Sequence, residues 1–244
     1  MLSIIVPYWS DGLECSLRER NVQACWNKVK RLYQFLLDNG VECDCTMYNF
    51  SEVNEIEDAR HIRCEISGFN KSKRMNLIFQ KHRYASYLLC IDADMFFHEN
   101  DFEQILLLTR SFAQNQVFTF DAAKLWEADT VTFLSTGQVD FNWDWWFAYS
   151  GPKENGPLLH SLGGIGGAYI LPRAVLDYIG GLDEEFVRWG GEDGKALSDI
   201  VDAINSGVDY TITPVRNFFP FHLNHHEDDR KAYVHAKYSQ NSNT

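Results

Sequence analysis

Residues 86–97 read SYLLCIDADMFF. The first half, Tyr87-Leu88-Leu89-Cys90-Ile91, is an unbroken apolar run, the pattern of a strand buried on both faces of a sheet. Two carboxylates, Asp92 and Asp94, then stand one residue apart, and apolar residues resume at Met95. In open α/β sheets, ligands bind beyond the carboxyl ends of the strands. Strand alternation directs both side chains to one spot, where two carboxylates repel unless something positive lies between them. A hard divalent cation, Mg2+ or Mn2+, answers that need. The plainer reading has one acid capping a helix and the other facing water, and D-x-D by itself does not choose.

Working outward, Leu2 to Val6 is a β-rich run stopped by Pro7. From about Leu17 to Leu37 apolar residues recur at three and four, predicting an amphipathic helix ended by Asn39-Gly40. Val41 to Tyr48 alternates like a strand, Ile62 to Ile66 offers another, and Lys71 to Lys81 reads as a helix leading into the strand at Tyr87. The order β-α-β-β-α-β predicts an α/β fold with a mostly parallel central sheet flanked by helices. From Asp121 to Pro157 no period holds for long, and the segment is rich in Trp, Phe, Asp and Asn. An aromatic loop of that length is often functional, though core or lid packing explains Trp143 to Phe147 equally well. Beyond it come a glycine-flanked strand, a short helix after Pro172, a helix over Asp193 to Ser206, and short strands near Tyr210 and Phe218.

Bulk properties bound the function. With 244 residues, no internal repeat and no linker, the chain predicts a single domain over 1–237 and a polar tail over 238–244. Hydrophobic residues make up 45% and aromatics 14%, which excludes a disordered chain. The net charge of −12 argues against nucleic acid or an anionic membrane as partner, although Lys71-Ser72-Lys73-Arg74 forms a local basic patch. No apolar run nears the ~20 residues that span a bilayer, and no signal peptide precedes the first strand. Six scattered cysteines without a C-x2-C pair read as reduced thiols. Together these predict a cytoplasmic protein without stable membrane insertion.

Two further segments carry chemistry. His222-Leu223-Asn224-His225 spaces two imidazoles three apart, with His226 adjacent. Mixed Asp/His donors favour Mn2+ over Mg2+, while a surface histidine cluster beside Glu227-Asp228-Asp229 is the plainer alternative. The stretch Gly180–Ala196, GGLDEEFVRWGGEDGKA, lets backbone approach a ligand at Trp189-Gly190-Gly191. Glu192 and Asp193 follow at a predicted helix N-terminus, where the dipole favours the charged form. A carboxylate held ionised beside an aromatic wall suits a general base for a sugar hydroxyl; an ordinary turn with Asp193 as N-cap is the alternative.

Taken together, SIIVPYWSDGLECSLRERN, FNKSKRMNLIF, CIDADMFF, the long LGGIGGAYILPRAVLDYIGGLDEEFVRWGGEDGKALSDI block and FHLNH occur in the order found in one family. The chain resembles the GT-A glycosyltransferases of the β-1,4-galactosyltransferase and chondroitin-synthase-like group. The resemblance implies a nucleotide-binding part to about residue 97 and an acceptor and catalytic part over about 98–237. Pro7 and Tyr8 would line the nucleotide pocket, and Arg18 or Arg20 would approach the diphosphate. Phe69, Asn70 and Lys71 would contact the nucleotide, and Asp92 would lie near the ribose and the metal. Asp94, His222 and His225 would hold Mn2+ or Mg2+. Trp189, Glu192 and Asp193 would shape the sugar site, with Asp193 as base. The implied activity is inverting hexosyl or N-acetylhexosaminyl transfer from a nucleotide-sugar, a UDP-sugar, to a glycan or other hydroxyl acceptor.

The chain departs from the family at Gly194, where another acid is common, and at Ser161, where a larger residue helps some relatives choose the donor sugar. The animal members' anchor and stem have no counterpart in these residues, so the resemblance implies a soluble bacterial or viral enzyme, or a catalytic domain alone. Two variants stay open: a phage-type transferase acting on a modified DNA base, and a nucleotide-sugar-binding protein without turnover. A sugar-1-phosphate nucleotidyltransferase would need a Gly-rich basic loop after the first strand, and PYWSDGLE lacks one.

Overall fold

The computed structural model describes residues 1–9, 16–51, 56–62, 70–113, 115–125, 127–138, 159–160, 167–185, 192–215 and 218–223, without the side chains of 16–19, 124, 127–129, 159–160 and 192. The chain opens with β1 (Leu2–Tyr8), α1 (Ser16–Asp38), β2 (Cys43–Asn49), β3 (Arg60–His61), α2 (Lys71–Lys81) and β4 (Tyr87–Ile91). The two elements that flank the functional segments, α2 and β4, have the predicted bounds. Most of the strand expected at Ile62 to Ile66 lies outside the described residues, and β3 sits just before it.

The chain continues through β5 (Met95–Phe96), a 3-10 turn (Glu99–Asp101), α3 (Phe102–Arg110), β6 (Gln116–Phe120), β7 (Ala122–Lys124), α4 (Glu127–Thr136) and β8 (Leu159–His160). It closes with β9 (Ala168–Pro172), α5 (Arg173–Ile179), α6 (Glu192–Asn205), β10 (Thr211–Val215) and β11 (Phe221–His222). The sequence reading assigns no element between Phe97 and Asp121, where α3 and β6 form. It expects no regular period after Asp121, where β7 and α4 form.

The main sheet has seven strands in the order β10-β6-β9-β4-β1-β2-β3. All run parallel except β9, which is antiparallel to both β4 and β6. The predicted mostly parallel sheet is therefore observed, with one reversed strand at its centre. Successive residues of β1 serve opposite cores. Ile4 and Val6 pack with Leu89, Ile91 and the α1 stripe Val22, Trp26, Val29, Leu32 and Leu36. Ile5 packs with Leu88, Cys90, Tyr169 and the inner faces of α2, α5 and α6. Both faces are covered, which is why β1 and β4 read as continuous apolar runs. Each fully buried aliphatic side chain contributes roughly 1.5–3 kcal/mol.

A second sheet, β5-β11-β7-β8, abuts the first. Phe96, Phe133, Phe221, Leu223 and Cys25 fill a third core between it, α1 and α4. β5 follows β4 after three residues, so this small sheet is rooted at the end of the central strand.

Candidate active site

The chain leaves extended geometry at Ile91. The Met95 amide donates to the Asp92 carbonyl at 2.9 Å, closing a turn over Asp92–Met95, and the Asp92 amide donates to the Gly167 carbonyl at 2.7 Å. Strand alternation therefore stops before Asp94, which lies in the turn. Each acid has its own partner.

Asp92 meets Lys71, whose Nζ lies 3.1 Å from Oδ1. The same ammonium lies 3.3 and 3.2 Å from Oδ1 and Oδ2 of Asp193. A lysine of the chain itself thus places a positive charge beside Asp92. Asp94 meets His222 instead, Oδ2 to Nε2 at 3.7 Å. Antiparallel pairing of β5 with β11 sets Met95 opposite His222, and the Leu223 amide donates to the Asp94 carbonyl at 3.0 Å. Two backbone constraints thus fix a carboxylate and an imidazole side by side.

Helix α2 carries the rest. Asn70 caps it, its side chain accepting from the Lys73 amide at 2.8 Å. The Asn70 side-chain amide also donates to the Glu184 carbonyl at 3.0 Å. Six residues on, Asn76 donates to the Leu182 carbonyl at 2.8 Å and accepts from the Leu182 amide at 2.9 Å. The segment Leu182–Glu184 is therefore tied to the helix that presents Lys71. Asp193, one residue into α6, faces back onto that lysine.

Beneath the three charges, Cys90 and Tyr169 pair across β4 and β9. Burial pushes the Cys90 thiol up to about 12 and drives the Tyr169 phenol well above its ordinary value. Both stay protonated, so the floor of the site is neutral. Burial, with Asp94 nearby, also raises the Cys25 thiol well above its ordinary value.

Two ligands held about 2.1 Å from one ion stand about 3.0–3.4 Å apart. Asp94 and His222 are within a few tenths of an ångström of that, and hard oxygen with imidazole nitrogen suits Mn2+. Among the described residues no third His, Cys, Asp or Glu completes a metal cluster with them. The expected third ligand, His225, lies outside the described residues.

No family model and no curated protein matches the sequence. The structure matches the catalytic domain of Drosophila beta1,4-galactosyltransferase 7 in complex with xylobiose with a TM-score of 0.52 at 18% identity, covering 94% of this chain and 73% of that one. A mutant of the same enzyme in complex with manganese, UDP-Gal and xylobiose gives 0.51 at 17% identity, with the same coverage. GalNAc-T7 with UDP, GalNAc and Mn2+ gives 0.55 at 12% identity, covering 93% of this chain and 44% of that one. The chain has the GT-A fold.

In this GT-A chain, Pro7 and Tyr8 end β1, the neighbour of the central strand, the first half-buried and the second buried. Trp9 follows, and the buried Arg74 guanidinium lies 4.7 Å from its ring centre. The sequence reading does not single out that pair, which only the packing of α2 beside β1 brings together. Arg20 is exposed on α1. Phe69 and Trp189 lie outside the described residues, as do the side chains of Arg18 and Glu192 and the cluster Trp143 to Phe147. The GT-A chain thus brings Lys71, Asp92 and Asp193 together directly after the Asn70 cap, and Asp94 together with His222.

Proposed function

We propose that the chain is an inverting, metal-dependent glycosyltransferase that moves a hexose or N-acetylhexosamine from a UDP-sugar to a hydroxyl of a glycan. The observation that carries this reading is the meeting of Asp193 and Asp92 through Lys71 at the carboxyl end of β4, on a GT-A fold. The neighbours add weight, because the galactosyltransferase was solved with manganese, UDP-Gal and xylobiose, and GalNAc-T7 with UDP, GalNAc and Mn2+.

In this reading Asp193 takes the acceptor hydroxyl's proton. The freed oxygen bonds to the anomeric carbon while the bond from that carbon to the phosphate oxygen breaks. The electron pair leaves with the nucleoside diphosphate. One displacement inverts the configuration and needs no enzyme nucleophile. A cation bound by Asp94, His222 and His225 would neutralise charge on the leaving diphosphate. The nucleotide would occupy the part up to about residue 97, against Pro7, Tyr8, Phe69 and Asn70, with Arg18 or Arg20 toward the diphosphate. Trp189 and Glu192 would border the sugar. No helix among the described residues is long and apolar enough to cross a membrane, and the cytoplasmic assignment rests on the sequence reading.

The test is a panel of nucleotide sugars incubated with the protein and Mn2+, with and without EDTA, reading release of free nucleotide. Release from one donor, abolished by EDTA, is expected. Failure of UDP with Mn2+ to raise the melting temperature at all would overturn the reading.

A further inference from the structure

Both carboxylate oxygens of Asp193 lie within 3.3 Å of one ammonium, that of Lys71. The contact is partly shielded, with the Lys71 side chain 14% and the Asp193 side chain 23% exposed. An ammonium at that distance favours the ionised carboxylate and weakens it as a base. Lys71 engages both oxygens at once. The resting geometry therefore opposes the proton transfer assigned to Asp193, and an accelerating base has to be released from it.

We propose that Lys71 is a latch on the catalytic carboxylate: it holds Asp193 in the free protein and passes to the donor's diphosphate on binding, which frees the base only when a donor is in place. The inference rests on the reading of Asp193 as base and of a nucleotide diphosphate as donor. Lys71 is built for such a transfer. Its Cα is fixed at the first position of α2, directly after the Asn70 cap that is itself bonded to Lys73 and Glu184. Its charge rides on a flexible four-carbon stem with rotatable donors. A diphosphate offers more negative charge and more acceptor oxygens than one carboxylate, so it competes successfully for the ammonium. Asp92, 3.1 Å away, stays beside the lysine and keeps it at the end of β4.

The latch makes an otherwise unexpected prediction: removing the charge of the base tightens nucleotide binding. UDP is titrated calorimetrically, with Mn2+ present, into wild type, Asp193→Asn, Lys71→Met and the double variant. Asp193→Asn should bind UDP about tenfold tighter than wild type, the scale of one charge-assisted hydrogen bond in a partly exposed site. In the Lys71→Met background the same change should leave affinity unaltered. Lys71→Arg keeps the charge and should preserve the Asp193→Asn effect, which separates loss of the latch from misfolding. Equal tightening in both backgrounds would mean that Asp193 merely repels phosphate, and the latch is then wrong. Unchanged or weaker binding by Asp193→Asn also overturns it. Absence of UDP binding by wild type would remove the nucleotide-sugar reading itself, and the latch with it.

Discussion

Oδ2 of Asp94 stands 3.7 Å from Nε2 of His222, one donor from the turn after β4 and the other from the last described strand. The separation is too long for a hydrogen bond and suits two ligands of one ion. Backbone pairing of Met95 with His222 holds the main chain of both segments side by side. Asp94→Ala and His222→Ala should each abolish the Mn2+-dependent rise in melting temperature with UDP. Loss of an outer-shell partner alone costs about 10–100-fold in metal affinity, so loss of a direct ligand should cost at least that. An unchanged Mn2+ response in both variants would move the metal elsewhere.

Asp193→Ala separates chemistry from binding. Turnover should fall by about 10²–10⁴-fold, the usual contribution of a positioned base, while Mn2+-dependent UDP binding persists. Single-turnover rates beside UDP titrations read the two effects apart. Full transfer activity in this variant would assign the base to another group, with Glu192 next.

Asp101 supplies a pH test away from the site. It is 5% exposed, and its Oδ2 has no hydrogen-bond partner among the described residues. Burial raises its carboxyl from its ordinary 3.8 to about 6. A raised folded-state value means stability fully present below about pH 4 and lost as pH rises through about 6. Asp101→Asn stays neutral throughout. Its melting temperature relative to wild type should climb between pH 4 and 6 and level off above. A gain of about 3 °C corresponds to about 1 kcal/mol in a chain of this size. A difference independent of pH would place the charge in contact with solvent or a partner.

Gly181 tests the docking of the Leu182–Glu184 segment onto α2. Its φ is +92°, and an added Cβ would lie 2.9 Å from Oδ1 of Asn76, the atom that accepts from the Leu182 amide. Gly181→Ala combines a strained backbone with a displaced hydrogen-bond partner and should cost about 1–3 kcal/mol. Chemical denaturation measures that loss. Turnover should fall further than stability, because the same segment leads to Asp193. Wild-type stability and turnover together would show that the segment is not held by Asn76.

The fold was legible where both faces of an element announce themselves locally. Tyr87–Ile91 is apolar on each residue and lies at the sheet's centre, and Lys71–Lys81 carries its cap and its stripe within a dozen residues. The period of α3 is equally present in Phe102, Ile105 and Leu106. Helix α4 is different. Thr130, Val131, Thr132 and Thr136 are poor helix formers, and the element packs through Phe133, stacked 4.5 Å from Phe96 of β5. That partner is remote in sequence, so no local window reveals it.

By itself the sequence determined the layered α/β core, the acids at the end of the central strand and the residue types of the site, because apolar period, caps and glycine turns act within a few residues. Tertiary structure alone decided which charges meet. The turn after Ile91 sends Asp92 to Lys71 and Asp94 to His222. Packing of α2 against the Leu182–Glu184 segment brings Lys71 to Asp193, 122 residues further along the chain. Contacts of that kind depend on where whole elements dock. Docking is set by summed burial across two faces of a sheet rather than by any pattern a short stretch can carry.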